Sequence, residues 1–222
     1  MKRLLFGAAL AVLTGALATA GTSTPELTVA SGASTASVTG AAGSVSYSSA
    51  NFAGWDITII AGASNSPGLT PFGLDLTALS AECLAASCST LTVDLSDIGY
   101  TQNAPGLTVG YSATDTGAAA STSETGYYST GNTYFATSSK VGTVGPFAGG
   151  GTFAGSVVGP GPGSATPYSL TLVNTFAGCS GSGCASYSSD SDITAVPEPA
   201  SVTLFGAVLV FCASRLRRRK GA

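Results

Sequence analysis

Histidine is absent from all 222 residues. That removes Ser-His-Asp and Cys-His catalysis and every His-ligated metal site. Cations are nearly as scarce in the body of the chain. Of eight Lys and Arg, two stand at the start (Lys2, Arg3) and five near the end (Arg215, Arg217, Arg218, Arg219, Lys220), leaving only Lys140 between them. The stretch 21–195 holds ten Asp and Glu against that one lysine, a net charge of −9. Such a body repels phosphate backbones and anionic lipid, which excludes nucleic acid as a partner. No Gly-rich loop ends in Lys-Ser/Thr, and Gly149-Gly150-Gly151 lacks dinucleotide spacing. No cofactor is called for. Nor does any long stretch show amphipathic helical spacing or an internal repeat.

What the body does have is Ser and Thr, 54 of the 175 residues from 21 to 195. A chain this rich in hydroxyls can be a disordered stalk, but its apolar residues alternate. Trp55 and Ile57 interleave with Asp56 and Thr58, and Leu91, Val93 and Leu95 with Thr92 and Asp94. Leu107 and Val109, then Leu170 and Leu172, repeat the pattern. Period-two alternation predicts half-buried strands. Further strand candidates are Val45–Tyr47, Leu74–Leu79, Thr133–Thr137, Phe153–Val157 and Tyr187–Ala195, about nine in all. Turn residues separate them (Ser66-Pro67-Gly68, Ala104-Pro105-Gly106, Gly159 to Gly163). The expected fold is all-β, an antiparallel β-sandwich over 44–195, preceded by a flexible leader over 21–43. An N-terminal signal helix and a C-terminal transmembrane helix are expected to flank it.

The N-terminus reads as a secretory signal peptide, 1–20. Lys2 and Arg3 form the charged region, Leu4 to Leu17 the apolar one, and Ala18-Thr19-Ala20 a small-x-small cleavage site. At the other end, Val196-Pro197-Glu198-Pro199-Ala200 is held extended by its two prolines. An uncharged stretch, 200–214, follows, then five basic residues in six over 215–220. Basic residues stay on the cytoplasmic side, so the body and Pro-Glu-Pro lie outside the membrane. Fifteen helical residues reach about 22 Å against roughly 30 Å of hydrocarbon, a short provisional anchor.

Pro197, Glu198 and Pro199, the short apolar segment and the basic end (Arg215, Arg217, Arg218, Arg219, Lys220) resemble the PEP-CTERM sorting signal of Gram-negative bacteria. The match covers about 25 residues, 196–220. It implies an exosortase-type membrane protease as partner, with Pro-Glu-Pro as its recognition motif and the basic tail as a stop signal. It also implies an inner-membrane-anchored intermediate, then the cell surface or matrix, and association with exopolysaccharide and biofilm. The same module occurs on some secreted ice-binding proteins.

Four of five cysteines form two brackets, Cys83 with Cys88 and Cys179 with Cys184. Each encloses a four-residue loop between strand candidates. Facing residues at a hairpin neck lie about 4.5–5.5 Å apart, within disulfide reach, so local pairing is the simplest connectivity. Loops this small contribute roughly 2 kcal/mol each. The rival, one zinc site built from all four thiolates, suits an oxidising compartment poorly. Cys212, in the apolar tail, has no evident partner.

Carboxylate-only catalysis remains formally open, with Asp56, Asp94, Asp97 and Asp115 as candidates. Asp190 and Asp192 lack EF-hand spacing. These acids read better as turn and strand-face residues, and the chain as a non-enzymatic surface or matrix protein. The alternative is a binding module for carbohydrate or ice. Ice binding in β folds asks for a regular Thr array, whereas Thr122, Thr125, Thr130 and Thr133 keep no constant interval.

Overall fold

A computed structural model describes residues 23–68, 73–117, 121–180 and 185–196. All regular structure in them is β. In chain order the strands are β1 (Glu26–Ser31), β2 (Ser34–Thr39), β3 (Ser44–Phe52), β4 (Trp55–Ser64), β5 (Leu74–Cys83), β6 (Ser87–Cys88) and β7 (Leu91–Tyr100). There follow β8 (Ala104–Thr116), β9 (Ser121–Ser129), β10 (Ser139–Ala148), β11 (Gly151–Gly163), β12 (Tyr168–Phe176), β13 (Cys179–Ser180) and β14 (Ser186–Ala195).

Twelve of them make two six-stranded antiparallel sheets. Sheet A runs β10-β9-β12-β7-β1-β2 and sheet B runs β11-β8-β14-β5-β4-β3. Within this order, β5-β14-β8-β11 and β7-β12-β9-β10 are the interleaved four-stranded halves of a jelly roll. Two further strands extend each half at its β5 or β7 side. The expected sandwich is therefore present, with more strands than the alternation predicted.

Two sequence expectations need correction. The leader predicted over 21–43 instead supplies β1 and β2, paired with each other over six residues and with β7. Leu27 and Val29 of β1 are fully buried, so this segment belongs to the core. Thr133–Thr137 lies in the connection between β9 and β10. The strands on either side of it, β9 and β10, carried too few alternating apolar residues to be foreseen.

Alternation does most of the building. Trp55 and Ile57, Leu91, Val93 and Leu95, Leu107 and Val109, and Leu170 and Leu172 all point inward and are buried. Trp55 Nε1 donates to the Ser89 carbonyl at 3.1 Å, which satisfies its one polar atom. Its ring meets Tyr187 at 6.1 Å, and Tyr187 meets Phe176 at 4.9 Å, filling one end of the sandwich. The other end is tied by Asp97. Its carboxylate accepts hydrogen bonds from Ser23, from Ser64 at 2.5 Å and from the Ile98 amide at 2.8 Å. These contacts join the start of the domain to β4 and β7.

One stripe of the interior is polar. Thr122 and Glu124 of β9 and Asn174 of β12 face Tyr111 and Asp115 of β8 and Ser189 and Ser191 of β14. The Tyr111 hydroxyl bonds Thr122 and donates to Asn174 Oδ1 at 3.3 Å. Asn174 Nδ2 donates to Ser189 Oγ at 3.0 Å. Glu124 is 0% exposed and neither of its oxygens makes a hydrogen bond. Burial pushes its carboxyl well above the usual carboxylate range, and the Ser191 hydroxyl beside it offsets this only in part.

Folding thus favours the neutral acid at Glu124 relative to the unfolded chain, where it ionises near 4.5. Burial also raises Asp75, Asp94, Asp115 and Asp192. A raised folded pKa gives stability that is full below the unfolded value and is lost as pH climbs toward the folded one. A fully buried group such as Glu124 costs about 1.4 kcal/mol per pH unit inside that window, and the half-exposed Asp75 and Asp192 cost less because solvent screens them. The melting temperature should accordingly be higher at pH 4 than at pH 8, and Glu124→Gln should narrow the gap mainly by raising the pH 8 value. A melting temperature that rises with pH, or a gap unchanged in the variant, contradicts this.

Candidate functional site

The outer face of sheet B is where the surface acids gather. Strand alternation turns Asp56 of β4, Asp75 and Glu82 of β5, and Asp190 and Asp192 of β14 outward. Cross-strand register then pairs like with like: Asp56 opposes Glu82, and Asp75 opposes Asp192. The second pair exists because β5 and β14 slip register between Ser189 and Ser191. Like charges directly opposite one another destabilise a sheet, so this arrangement runs against stability. Gly110 makes room for it. A Cβ there would come within 2.3 Å of Asp192 Oδ1, so the carboxylate lies flat across the glycine.

Beside the acids is a shallow depression of about 110 Å³ between β8, β11 and β14. Ser112, Thr114, Thr152, Ser188 and Asp190 line it. Thr114 and Thr152 hydroxyls stand 3.3 Å apart across one wall, and Thr116 and Ser186 repeat the pairing at 3.2 Å further along. Each hydroxyl can donate and accept, and a carboxylate accepts only. The face therefore suits a ligand rich in hydroxyl donors.

Its electrostatics follow from burial and crowding. The Asp75 carboxyl is pushed up to about 6, first by burial and then by the charges of Asp192 and Asp190. Burial also raises Asp192, with a hydrogen bond from Thr194 acting against it. At neutral pH the face is anionic, and it loses charge as pH falls through 6. On the opposite sheet, burial raises Asp94 to about 6 as well.

The four acids considered for catalysis are not brought together. Asp56 lies on the outer face of sheet B, Asp94 on that of sheet A, Asp97 in its serine cage, and Asp115 in the core near Tyr187. Asp190 and Asp192 do share a face, joined by Asp75 from a strand more than a hundred residues away. The sequence carried no signal of that third acid's position. The four threonines share no array either. Thr122 is buried inward, Thr125 faces out and pairs with Thr143 at 2.8 Å, and Thr130 and Thr133 lie in a connection.

Cys83 and Cys88 form a disulfide, Cα atoms 6.1 Å apart. The hairpin expected around it is different in kind. β6 pairs with β13 and not with β5, which sets Cys88 directly opposite Cys179. Cys88 of the first bracket thus meets Cys179 of the second. Cys179 is disulfide-bonded as well; Cys184, its expected partner, lies outside the described residues, as does Cys212. No group of three or more Cys, Asp or Glu among the described residues is arranged to hold a metal ion. The expected signal peptide with Ala18 and Ala20, the expected sorting motif Pro197 to Pro199, the apolar segment 200–214 and the basic residues 215–220 also fall outside them. No helix among the described residues is long and apolar enough to cross a membrane.

Neither a family model nor a curated protein matches this chain. Among solved structures it is similar to TmCBM61 in complex with β-1,4-galactotriose, at 9% identity and a TM-score of 0.33 over 64% of this chain and 83% of that one. It is similar to the enzymatically active domain of bacteriophage CBA120 tailspike protein 4, at 12% identity and a TM-score of 0.35, over 69% of this chain but 21% of that one. A third is the K1 cleaved adhesin domain of Lys-gingipain from Porphyromonas gingivalis, at 16% identity and a TM-score of 0.27 over 69% and 98%. At these values none of the three assigns this chain a function.

The crowding of Asp75 is directly measurable. Removing the opposing charge with Asp192→Asn should lower the Asp75 pKa, followed by carboxyl NMR titration, while leaving it above the usual range because burial persists. An Asp75 titration unchanged in the variant contradicts the pairing.

Proposed function

We propose that this chain is an exported surface protein, sorted through its C-terminal signal, whose sandwich binds polysaccharide on the outer face of sheet B without catalysing a reaction. The observation that carries the binding reading is the depression lined by Ser112, Thr114, Thr152, Ser188 and Asp190. Its walls offer four hydroxyls and a carboxylate, and five carboxylates share the face with no cation among them. Sugar hydroxyls donate to carboxylates and exchange hydrogen bonds with Ser and Thr, so a neutral or amino-bearing glycan fits this lining. An anionic glycan meets like charge.

The sorting half rests on sequence. Pro197, Glu198 and Pro199 stand ahead of the uncharged segment 200–214 and the basic residues Arg215 to Lys220. Together they support processing by an exosortase-type protease from a membrane-anchored intermediate, after removal of the signal peptide at Ala20. The body then reaches the cell surface or matrix, where polysaccharide is the available ligand.

A glycan array on the full-length protein tests the binding half. We expect neutral or amino-bearing oligosaccharides to be retained, and Asp190→Asn combined with Ser188→Ala to weaken binding ~10-fold, the worth of roughly one charge-assisted hydrogen bond. An array without hits, or variants that bind as wild type does, defeats it. Mass spectrometry of surface-located protein tests the other half. The mature chain should begin at Gly21 and lack Arg217 to Lys220; an intact basic end on all surface protein contradicts the sorting reading.

A further inference from the structure

Four strands end the two sheets: β10 and β2 in sheet A, β11 and β3 in sheet B. An edge strand presents a row of unpaired N–H and C=O groups, a template for pairing with another chain. Three of the four are guarded. β10 and β11 run against each other so closely that a Cβ at Gly159 would lie 1.9 Å from the Val141 carbonyl oxygen, and one at Gly142 2.4 Å from Val157 Cγ1. A further strand does not fit between them. β3 slips register twice against β4, between Val45 and Tyr47 and again between Ser49 and Phe52. Such irregularities bend an edge and interrupt its hydrogen-bonding row.

β2 has no such guard. All six of its residues pair with β1 in unbroken register. It contains no proline, no glycine and no charge, and among the described residues nothing pairs with its outer side. Thr35, Ser37 and Thr39 are exposed on the outer face of sheet A, while Ala36 and Val38 lie half-buried against the core.

We propose that β2 is a self-association edge, and that two copies of this chain join by antiparallel β2–β2 pairing about a two-fold axis at Ser37. The strand complements itself in that register. Side chains that oppose each other must share a face, and an axis at Ser37 sets Ser37 against Ser37, Thr35 against Thr39 and Ala36 against Val38. The outward pairs are hydroxyl with hydroxyl, the kind this sheet already makes at Thr28–Ser37 (3.1 Å) and Thr125–Thr143 (2.8 Å). The inward pairs extend the apolar layer. Charge selects the same edge. A copy approaching the outer face of sheet B meets carboxylates with carboxylates, whereas β2 brings no charged side chain to the contact. The nearest acid, Glu26, lies one strand inward beside Thr39, and the two-fold places the two copies of it at opposite ends of the pair.

The result is a twelve-stranded sheet continuous through both copies. Its two-fold axis stands normal to sheet A, so both B sheets fall on the same side. Two copies of the acidic face then point in one direction, the geometry that lets a long polymer engage both at once with gain in avidity. Dimer formation itself does not depend on what either face binds.

Analytical ultracentrifugation of the full-length protein in mild detergent, over a concentration series, tests this without any glycan. Wild type is expected to dimerise. Ser37→Lys and Ser37→Glu each place like charges directly on the axis and should each weaken the dimer ~10-fold or more. An equimolar mixture of the two variants should restore dimerisation, because the axis then joins opposite charges. Ser37 is exposed, so both variants should keep the wild-type circular dichroism spectrum. The proposal is overturned by a wild type that stays monomeric throughout, as when the chain's own terminal segments cover the edge. A dimer indifferent to charge at Ser37, or a mixture that stays monomeric, also overturns it.

Discussion

Everything here depends on the hydrogen-bonded ladders on either side of β14. The strand pairs with β8 over ten consecutive positions and with β5 on its other side, joining the two parts of sheet B. Alternation along it then writes two surfaces at once. Tyr187, Ser189, Ser191 and Ile193 face the core, and Ser186, Ser188, Asp190 and Asp192 face out. A one-residue shift would exchange the two sets and bury the aspartates. The slip against β5 keeps the faces intact while moving Asp192 opposite Asp75. The fold and the candidate site are therefore consequences of one register.

The interior shows what a chain so rich in small hydroxyl residues must do to close a sandwich. Its apolar side chains suffice for the two ends, where Trp55, Tyr187 and Phe176 meet and where Tyr100 stacks on Tyr168 at 5.6 Å. Between them the packing passes through Thr122, Asn174, Tyr111 and Ser189, which are usable inside because they hydrogen-bond one another. Glu124 is the cost, a fully buried carboxyl whose desolvation the Ser191 hydroxyl and the Val173 backbone offset only in part, so that the interior favours its neutral form. Such a core is stiffened by polar contacts and weakened by alkali, the reverse of the acid sensitivity usual where carboxylates are salt-bridged.

The sequence made the sandwich legible wherever apolar residues alternate along a strand. Eight of the nine segments read from it lie within observed strands. It failed where the inward positions are themselves polar or small. β9 points Thr122, Glu124 and Gly126 into the core, and β10 carries Pro146 and two glycines, so neither shows a period of two in hydrophobicity. β1 is hidden in the sequence for another reason. Leu27 and Val29 alternate correctly but sit in a Ser, Thr, Gly and Ala context that reads as a leader. The Cys83–Cys88 bracket was legible as a local pair, while the placing of Cys88 opposite Cys179 through β6 and β13 rests on long-range topology. The same holds for the candidate face. Asp190 and Asp192 are neighbours in sequence, but Asp75, Thr114 and Thr152 reach them only through sheet order, which no local pattern encodes.

The central claim is that the outer face of sheet B is the ligand-binding surface. Hydrogen exchange of the full-length protein, with and without a saturating glycan, reads this out strand by strand. The account predicts slowed exchange confined to β8, β11 and β14, with the outer strands of sheet A unchanged. Protection appearing on β1, β2 or β7 instead, or on no strand at all, would contradict it.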